Sequence, residues 1–327
     1  MFCNISVHID KTFICSFIDS FMKLSNFIES QQLDQDLIQH LFKKADELMD
    51  GKFKGDELKG KVLCTLFYEP STRTRLSFES AMLKLGGNVI TTENAKEFSS
   101  AIKGESIEDT ARIVSAYSDC VVIRHYEEGT AAKAAAVSNI PVINAGDGKG
   151  QHPTQALLDF YTIYKECGRL NNIRIAMVGD LASGRTVRSL CYLLGKYNKI
   201  EIVFVSPDNL GVGNDIKEYL TRHGVKFTEE TDLNKILPFV DFVYMTRIQK
   251  ERIALADYQR AKGKYVININ NFELLKHNSR IMHPLPHVEE IDLPIEVEQK
   301  DPRVAYFRQA RNGLFIRMAL LLHLLSD

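Results

Sequence analysis

Seven residues near the first quarter of the chain, Glu69-Pro70-Ser71-Thr72-Arg73-Thr74-Arg75, bring three hydroxyls and two guanidinium groups together. Ser71 suits a helix N-cap, and the free N–H groups of the first turn behind it form an anion site that fits a phosphate. At about 100° per residue, Arg73 and Arg75 lie roughly 200° apart, so they cannot both face one ligand. Arg73 is assigned to the ligand and Arg75 to a structural ion pair.

Five other places carry comparable chemistry. Arg124-His125 is one. Another is Gly146-Asp147-Gly148-Lys149-Gly150-Gln151-His152-Pro153-Thr154-Gln155, where Pro153 suits a first helical position and His152 and Gln155, at i and i+3, share a face. That pair suits donation to a carbonyl oxygen and acceptance from an amide nitrogen. Gly179-Asp180-Leu181-Ala182-Ser183-Gly184-Arg185-Thr186 falls one residue short of a nucleotide-binding P-loop and has Arg185 where that loop has lysine. A guanidinium fork matches planar carboxylates better than it replaces the compact P-loop ammonium, so a carboxylate ligand is favoured over NTP. Thr246-Arg247-Ile248-Gln249 adds another cation, and His283-Pro284-Leu285-Pro286-His287 presents carbonyls stiffly enough to accept from an amine. Alone, each has a plain structural explanation: a capped helix, a buried histidine, a solvated turn. The polar stretch Thr91–Ser106, with Ser99 and Lys103-Gly104-Glu105, reads as a mobile surface loop.

These segments follow elements that must position them. Strands are expected at Lys61–Phe67, Cys120–Ile123, Ile140–Asn144, Ile173–Val178, Glu201–Val205, Val240–Met245 and Tyr265–Ile269. Helices alternate with them, over Leu76–Leu85 with Phe78, Ala81, Met82 and Leu85 on one face, over Ile107–Tyr117 and over Thr154–Cys167. Strand-helix alternation implies an α/β protein of two doubly wound domains with parallel sheets, and ligands in such sheets sit beyond the carboxyl ends of the strands. The expected division is an N-terminal extension over 1–21, a first domain of 22–152 plus 308–327, and a second of 153–307, with the C-terminal helix packing back on the first domain.

At 327 residues the chain has room for about two domains. Lys+Arg of 41 against Asp+Glu of 42 leaves a net charge of -1, which argues against a general nucleic-acid or anionic-membrane binder. The six cysteines have no metal-ligand spacing and read as reduced, mostly buried thiols, so no metal is expected. No apolar run is long enough to span a membrane, and Leu314–Leu325, interrupted by Arg317 and His323, reads as a docked terminal helix. A cytoplasmic location follows as an expectation. The first 21 residues fit neither a signal peptide nor an Arg-rich transit peptide, which makes Met22 a candidate start.

STRTR with SFE, RH, HPTQ, GDxxxGRT, YMTRxQ and HPLP, in this order and spacing, closely resemble the catalytic chains of aspartate carbamoyltransferases, from about Met22 to the C-terminus. The resemblance implies condensation of carbamoyl phosphate with L-aspartate to N-carbamoyl-L-aspartate and phosphate, in pyrimidine synthesis, with no cofactor. It assigns Ser71, Thr72, Arg73 and Thr74 to the phosphate and Thr74, Arg124, His152 and Gln155 to the carbamoyl group. Arg185, Thr186, Arg247 and Gln249 are assigned to aspartate, and carbonyls around Pro284, Leu285 and Pro286 to the amines. Ser99 and Lys103 resemble a loop that enters a neighbouring subunit's site, which implies a homotrimer with shared sites, open to association with regulatory chains. Catalytic roles fall on Arg73, Lys103, Arg124 and His152.

The substrates carry about four negative charges, which Arg73, Lys103, Arg124, Arg185 and Arg247 would meet. Two alternatives are an ornithine-type transcarbamoylase and a non-catalytic paralogue. The first needs acidic or thiolate chemistry where Arg247 and Gln249 stand, and the second would be expected to have lost a site cation or the histidine. Two departures from the family pattern stand out. His287 occupies a place where arginine is common, so a secondary contact near the aspartate site is not carried over and activity is expected to depend on pH. Ala182-Ser183 lacks an aromatic found in some members, so no regulatory closure is carried over.

Overall fold

A computed structural model of the chain describes residues 24–248 and 263–326. The N-terminal extension, the Met22 start, Cys3, Cys15 and Gln249 lie outside them. The first sheet contains β1 (Val62–Phe67), β2 (Asn88–Glu93), β3 (Cys120–His125) and β4 (Val142–Asp147), all parallel, in the order β2-β1-β3-β4. The second contains β5 (Ile173–Val178), β6 (Ile200–Val205), β7 (Lys226–Glu230) and β8 (Phe242–Met245), joined by β10 (Arg280–Met282), again parallel, in the order β10-β8-β5-β6-β7. Between β8 and β10 in sequence, β9 (Ile267–Asn268) pairs with β11 (Ile291–Asp292) as a separate two-stranded sheet. Each main sheet carries helices on its faces because its strands are buried on both sides: β8, inside the second sheet, and β4, at an edge of the first, are buried at every position.

The sequence expectation is corrected at three places. Tyr265–Ile269 is no member of the second sheet; only Ile267–Asn268 is extended, and the strand that delivers His283 is the three-residue β10. Two edge strands, β2 and β7, escape the apolar criterion because they are largely polar, NVITTE and KFTEE. Thr91–Ser106 is no featureless loop: it completes β2 and continues as a short helix over Ala95–Phe98 and a 3₁₀ turn over Ser100–Lys103.

Five helices matter for the site. Helix α1 (Gln35–Met49) starts at Asp34, whose carboxylate accepts from Leu37 N–H at 2.8 Å. Helix α2 (Thr72–Lys84) follows β1 and buries Phe78, Ala81 and Met82, the apolar face read from the sequence. Helix α3 (Pro153–Cys167) follows β4, with His152 at the N-cap and Pro153 in the first turn as expected. Helix α4 (Arg185–Leu194) follows β5. Helix α5 (Tyr306–Leu325), the docked terminal helix, packs on α1, α2 and α3. Its one buried guanidinium, Arg317, lies 5.1 Å from the centroid of the Phe78 ring. The C-terminal helix thus closes the first sheet's core from the far end of the chain. Cys64, Cys120 and Cys191 are buried and Cys167 half-buried, all as free thiols. Among the described residues no helix is long and apolar enough to cross a membrane.

Candidate active site

Beyond the carboxyl ends of both sheets lies one cavity of about 530 Å³, lined by residues from six separate segments. The first sheet supplies Ser71, Thr72, Arg73 and Thr74 from the start of α2, Arg124 from the end of β3, and His152 and Gln155 from the start of α3. The second supplies Arg185 and Thr186 from the start of α4, Arg247 after β8, and Pro284, Leu285 and Pro286 after β10. Thirteen of the residues singled out by sequence therefore converge. Ser99 and Lys103 do not line this cavity: they sit on the helical segment after β2, where Ser99 caps the 3₁₀ turn through Ala101 N–H at 3.2 Å.

Ser71 occupies the N-cap position of α2, but its hydroxyl makes no capping bond, which leaves the first-turn N–H groups beside the cavity. A helix N-terminus of this kind favours an anion by its dipole as well as by its donors. Arg75 points away and pairs with Glu79 at 3.2 Å and Glu93 at 2.8 Å, stitching α2 to the edge strand β2 as the angular argument requires.

Thr74 and His152 meet across the first sheet, with Thr74 Oγ1 3.4 Å from His152 Nε2. His152 is buried, and its backbone N–H donates to Ser189 Oγ at 2.9 Å, fixing the start of α3 against α4. Burial, followed by the nearby Arg185, Arg124 and Arg317 charges, holds the imidazole well below its ordinary value, so it is neutral at pH 7. A neutral imidazole can donate one hydrogen bond to a developing oxyanion without adding charge to an already cationic cavity.

The sequence reading gave Glu69 no role, yet it is the electrostatic counterweight of the cleft. One of its carboxylate oxygens lies 3.5 Å from Arg124 Nε and 3.4 Å from Arg185 NH1, so a single acid bridges a cation of each sheet. An acid beside an anion-binding turn was the available signal. Arg185 NH1 also donates to Gly148 O at 3.1 Å, and its guanidinium lies flat over Gly146, where a Cβ would come within 3.1 Å of it. The turn of the GDxxxGRT segment is held by Asp180, which accepts from Ser183 N–H at 2.9 Å. Among the described residues no cluster of His, Cys, Asp or Glu could hold a metal ion.

Two lobes that each aim cations at one narrow cleft define a class: enzymes that hold two small anions side by side for group transfer. Residues 25–165 match the family described as aspartate/ornithine carbamoyltransferase, carbamoyl-P binding domain, and residues 171–324 match the one described as aspartate/ornithine carbamoyltransferase, Asp/Orn binding domain. The chain belongs to the aspartate/ornithine carbamoyltransferase family.

It is 55% identical over 304 residues to aspartate carbamoyltransferase 1, chloroplastic, of Pisum sativum, covering 91% of this chain and 78% of that one. The catalytic subunit of M. jannaschii aspartate transcarbamoylase is similar in structure, with a TM-score of 0.85 and 45% identity, covering 93% of this chain and 99% of that one. Aspartate transcarbamoylase from Trypanosoma cruzi, solved with N-(phosphonacetyl)-L-aspartic acid, gives a TM-score of 0.87 at 38% identity, covering 94% and 97%. The cytoplasmic location expected from composition is overturned by the Pisum sativum relative, which is chloroplastic. Composition and net charge carry no address, so that expectation had no physical footing.

Proposed function

We propose that this chain is an aspartate carbamoyltransferase, which transfers the carbamoyl group of carbamoyl phosphate to the amine of L-aspartate and releases phosphate, a step of pyrimidine synthesis. The observation that carries the reading is the convergence of Arg73 and Arg124 from one sheet with Arg185 and Arg247 from the other on a single cavity. In it the phosphate sits on the N-terminus of α2 with Ser71, Thr72, Arg73 and Thr74. The carbamoyl oxygen takes donors from Thr74, Arg124 and His152, while Gln155 accepts from the carbamoyl amide. Arg185, Thr186, Arg247 and Gln249 hold the two carboxylates, and the carbonyls around Pro284 and Leu285, with Pro286 beside them, receive the amine.

The neutral amine attacks the carbamoyl carbon, and negative charge builds on the oxygen where the three donors converge. The carbon–oxygen bond to phosphate then breaks, and the departing phosphate accepts the amine proton. No side chain has to act as a general base. Positioning carries much of the acceleration, because two anions in water repel one another. Glu69 balances the cleft's cations before substrate arrives and yields them to the incoming anions. The phosphate-binding lobe comprises 22–152 with 308–327, and the aspartate-binding lobe 153–307.

The working unit we propose is a homotrimer in which Ser99 and Lys103 enter the neighbour's cavity, with regulatory chains as additions to it. Phe98 and Ile102, on the same segment, are 76% and 69% exposed, and Leu76 and Ile90 beside the sheet edge are exposed as well. Apolar exposure of that extent supports burial against another subunit.

The test is formation of N-carbamoyl-L-aspartate from carbamoyl phosphate and L-aspartate by the purified chain, with L-ornithine in parallel. Turnover of aspartate, blocked by N-(phosphonacetyl)-L-aspartic acid, is expected. Turnover of ornithine instead, or of neither, overturns the reading.

A further inference from the structure

One completely buried acid has no part in the mechanism above. Asp159 lies one helical turn after Gln155 on α3. Its Oδ1 accepts from Gln155 Nε2 at 2.7 Å and from Gln309 Nε2, on α5, at 2.6 Å. Its Oδ2 accepts from the Tyr244 hydroxyl, on β8, at 2.6 Å. Burial pushes the Asp159 carboxyl up to about 7; above that pH it is a carboxylate and only accepts, so both glutamines turn their amide nitrogens toward it and their oxygens away. The Gln309 oxygen then receives the His283 N–H at 2.8 Å, and His283 Nδ1 receives the Leu285 N–H at 2.7 Å, inside the turn that lines the cavity. The Gln155 oxygen is left for the cavity that this residue lines.

Two walls of the cleft thus lead back to one carboxylate: the carbamoyl-facing amide and the turn after β10. We propose that Asp159 is the positioning residue that orients Gln155 and the His283–Pro286 turn together, and that it fixes which end of the Gln155 amide meets the carbamoyl group. The inference rests on the carbamoyltransferase reading. It goes beyond that reading by assigning the cleft's polarity to a group that touches no substrate. Buried polar networks of this kind specify one arrangement when every member is satisfied.

The test compares variants of the full-length protein at pH 8.5. Asp159→Asn keeps the shape but adds two N–H groups where three donors already converge, so one glutamine must turn over or lose its partner. We expect kcat to fall on the order of 10²-fold. Affinity for inorganic phosphate should stay within about twofold of wild type, because the start of α2 makes no bond to this network. In a Gln155→Ala, Gln309→Met background the same substitution should cost less than about threefold, since its effect is transmitted through those side chains.

An unchanged kcat, an equal loss in both backgrounds, or a parallel loss of phosphate affinity overturns the proposal. If Asp159→Asn does not fold, Gln309→Met, which leaves the carboxylate two donors, is expected to lower kcat about tenfold with phosphate affinity kept. No change in kcat there overturns the proposal too. Failure of the underlying reading would appear separately, as wild-type protein that makes no carbamoyl-aspartate.

Discussion

Two groups on the same side of the cleft separate charge from donation. Arg73 stands at the start of α2 and lines the cavity, whereas its neighbour but one, Arg75, is spent on Glu79 and Glu93. Arg73→Ala should therefore lower kcat by on the order of 10²-fold or more, because its interaction strengthens as phosphate departs. Arg75→Ala should act on stability instead, by about 1 kcal/mol. Steady-state kinetics and urea unfolding of the two variants check the split, and a kinetic defect confined to Arg75→Ala would reverse the assignment. His152 gives a pH prediction. The folded protein holds it neutral, well below the ordinary 6.5, whereas the unfolded imidazole takes up a proton below that value. The stability it contributes is whole above pH 6.5 and drains away as pH falls. Histidine-selective NMR should show a His152 resonance that does not move between pH 7.5 and 6, and a midpoint near 6.5 would contradict the neutral donor. The cations and hydroxyls that line the cavity were legible in the sequence because each sits at the end of a strand or in the segment that follows one. Glu69, Asp159 and Gln309 were not, since the partners that join the sheets and helices, Arg124 and Arg185 for Glu69 and Tyr244 and Gln309 for Asp159, lie between 55 and 150 positions away.

Elements were legible where burial is two-sided. β1, β3, β4, β5, β6 and β8 carry apolar runs because helices cover both faces, and the sequence reading found each to within two residues of an end or a little more. β2 and β7 lie at sheet edges with one face in solvent, so half of their apolar signal is missing. β10 is three residues long, too short for any period to register. The join between β5 and β8 makes a sharper demand than periodicity reveals. Gly179 follows β5 directly with φ of +117°, and a Cβ there would stand 2.1 Å from the Thr246 carbonyl oxygen, just before Arg247. Gly179→Ala should destabilise by about 2 kcal/mol or more, and by spreading β5 from β8 it should raise KM for aspartate while leaving phosphate affinity alone. Gly168→Ala is the control: its φ is +69°, but nothing lies within 4 Å, so only the cost of the backbone conformation, about 1 kcal/mol, is expected. Equal losses for the two variants would mean that the crowding at Thr246 has no consequence.

At the scale of the whole molecule, the near-zero net charge conceals a cleft that is strongly positive, with Glu69 as its bridging acid. The sequence made the two-lobed plan and the returning C-terminal helix readable, because strand-helix alternation and a final apolar helix leave few other arrangements. The proposed sharing of sites between subunits was not readable from periodicity, and in a single chain Lys103 stands outside the cavity. If Lys103 serves the neighbour's site in a closed trimer, each site pairs Arg73 of one subunit with Lys103 of the next. Arg73→Ala and Lys103→Ala proteins, each nearly inactive alone, should then regain activity when their subunits are mixed and reassembled. Every hybrid trimer, of either composition, contains one interface with both residues intact. Random mixing in equal amounts makes about three-quarters of the trimers hybrid, each with one intact site in three, so about a quarter of wild-type activity should return. Were Lys103 to act within its own chain, no mixture would hold an intact site and activity would stay at the level of the separate variants. The recovered fraction therefore reads out the geometry of sharing directly, independently of how large either single defect is.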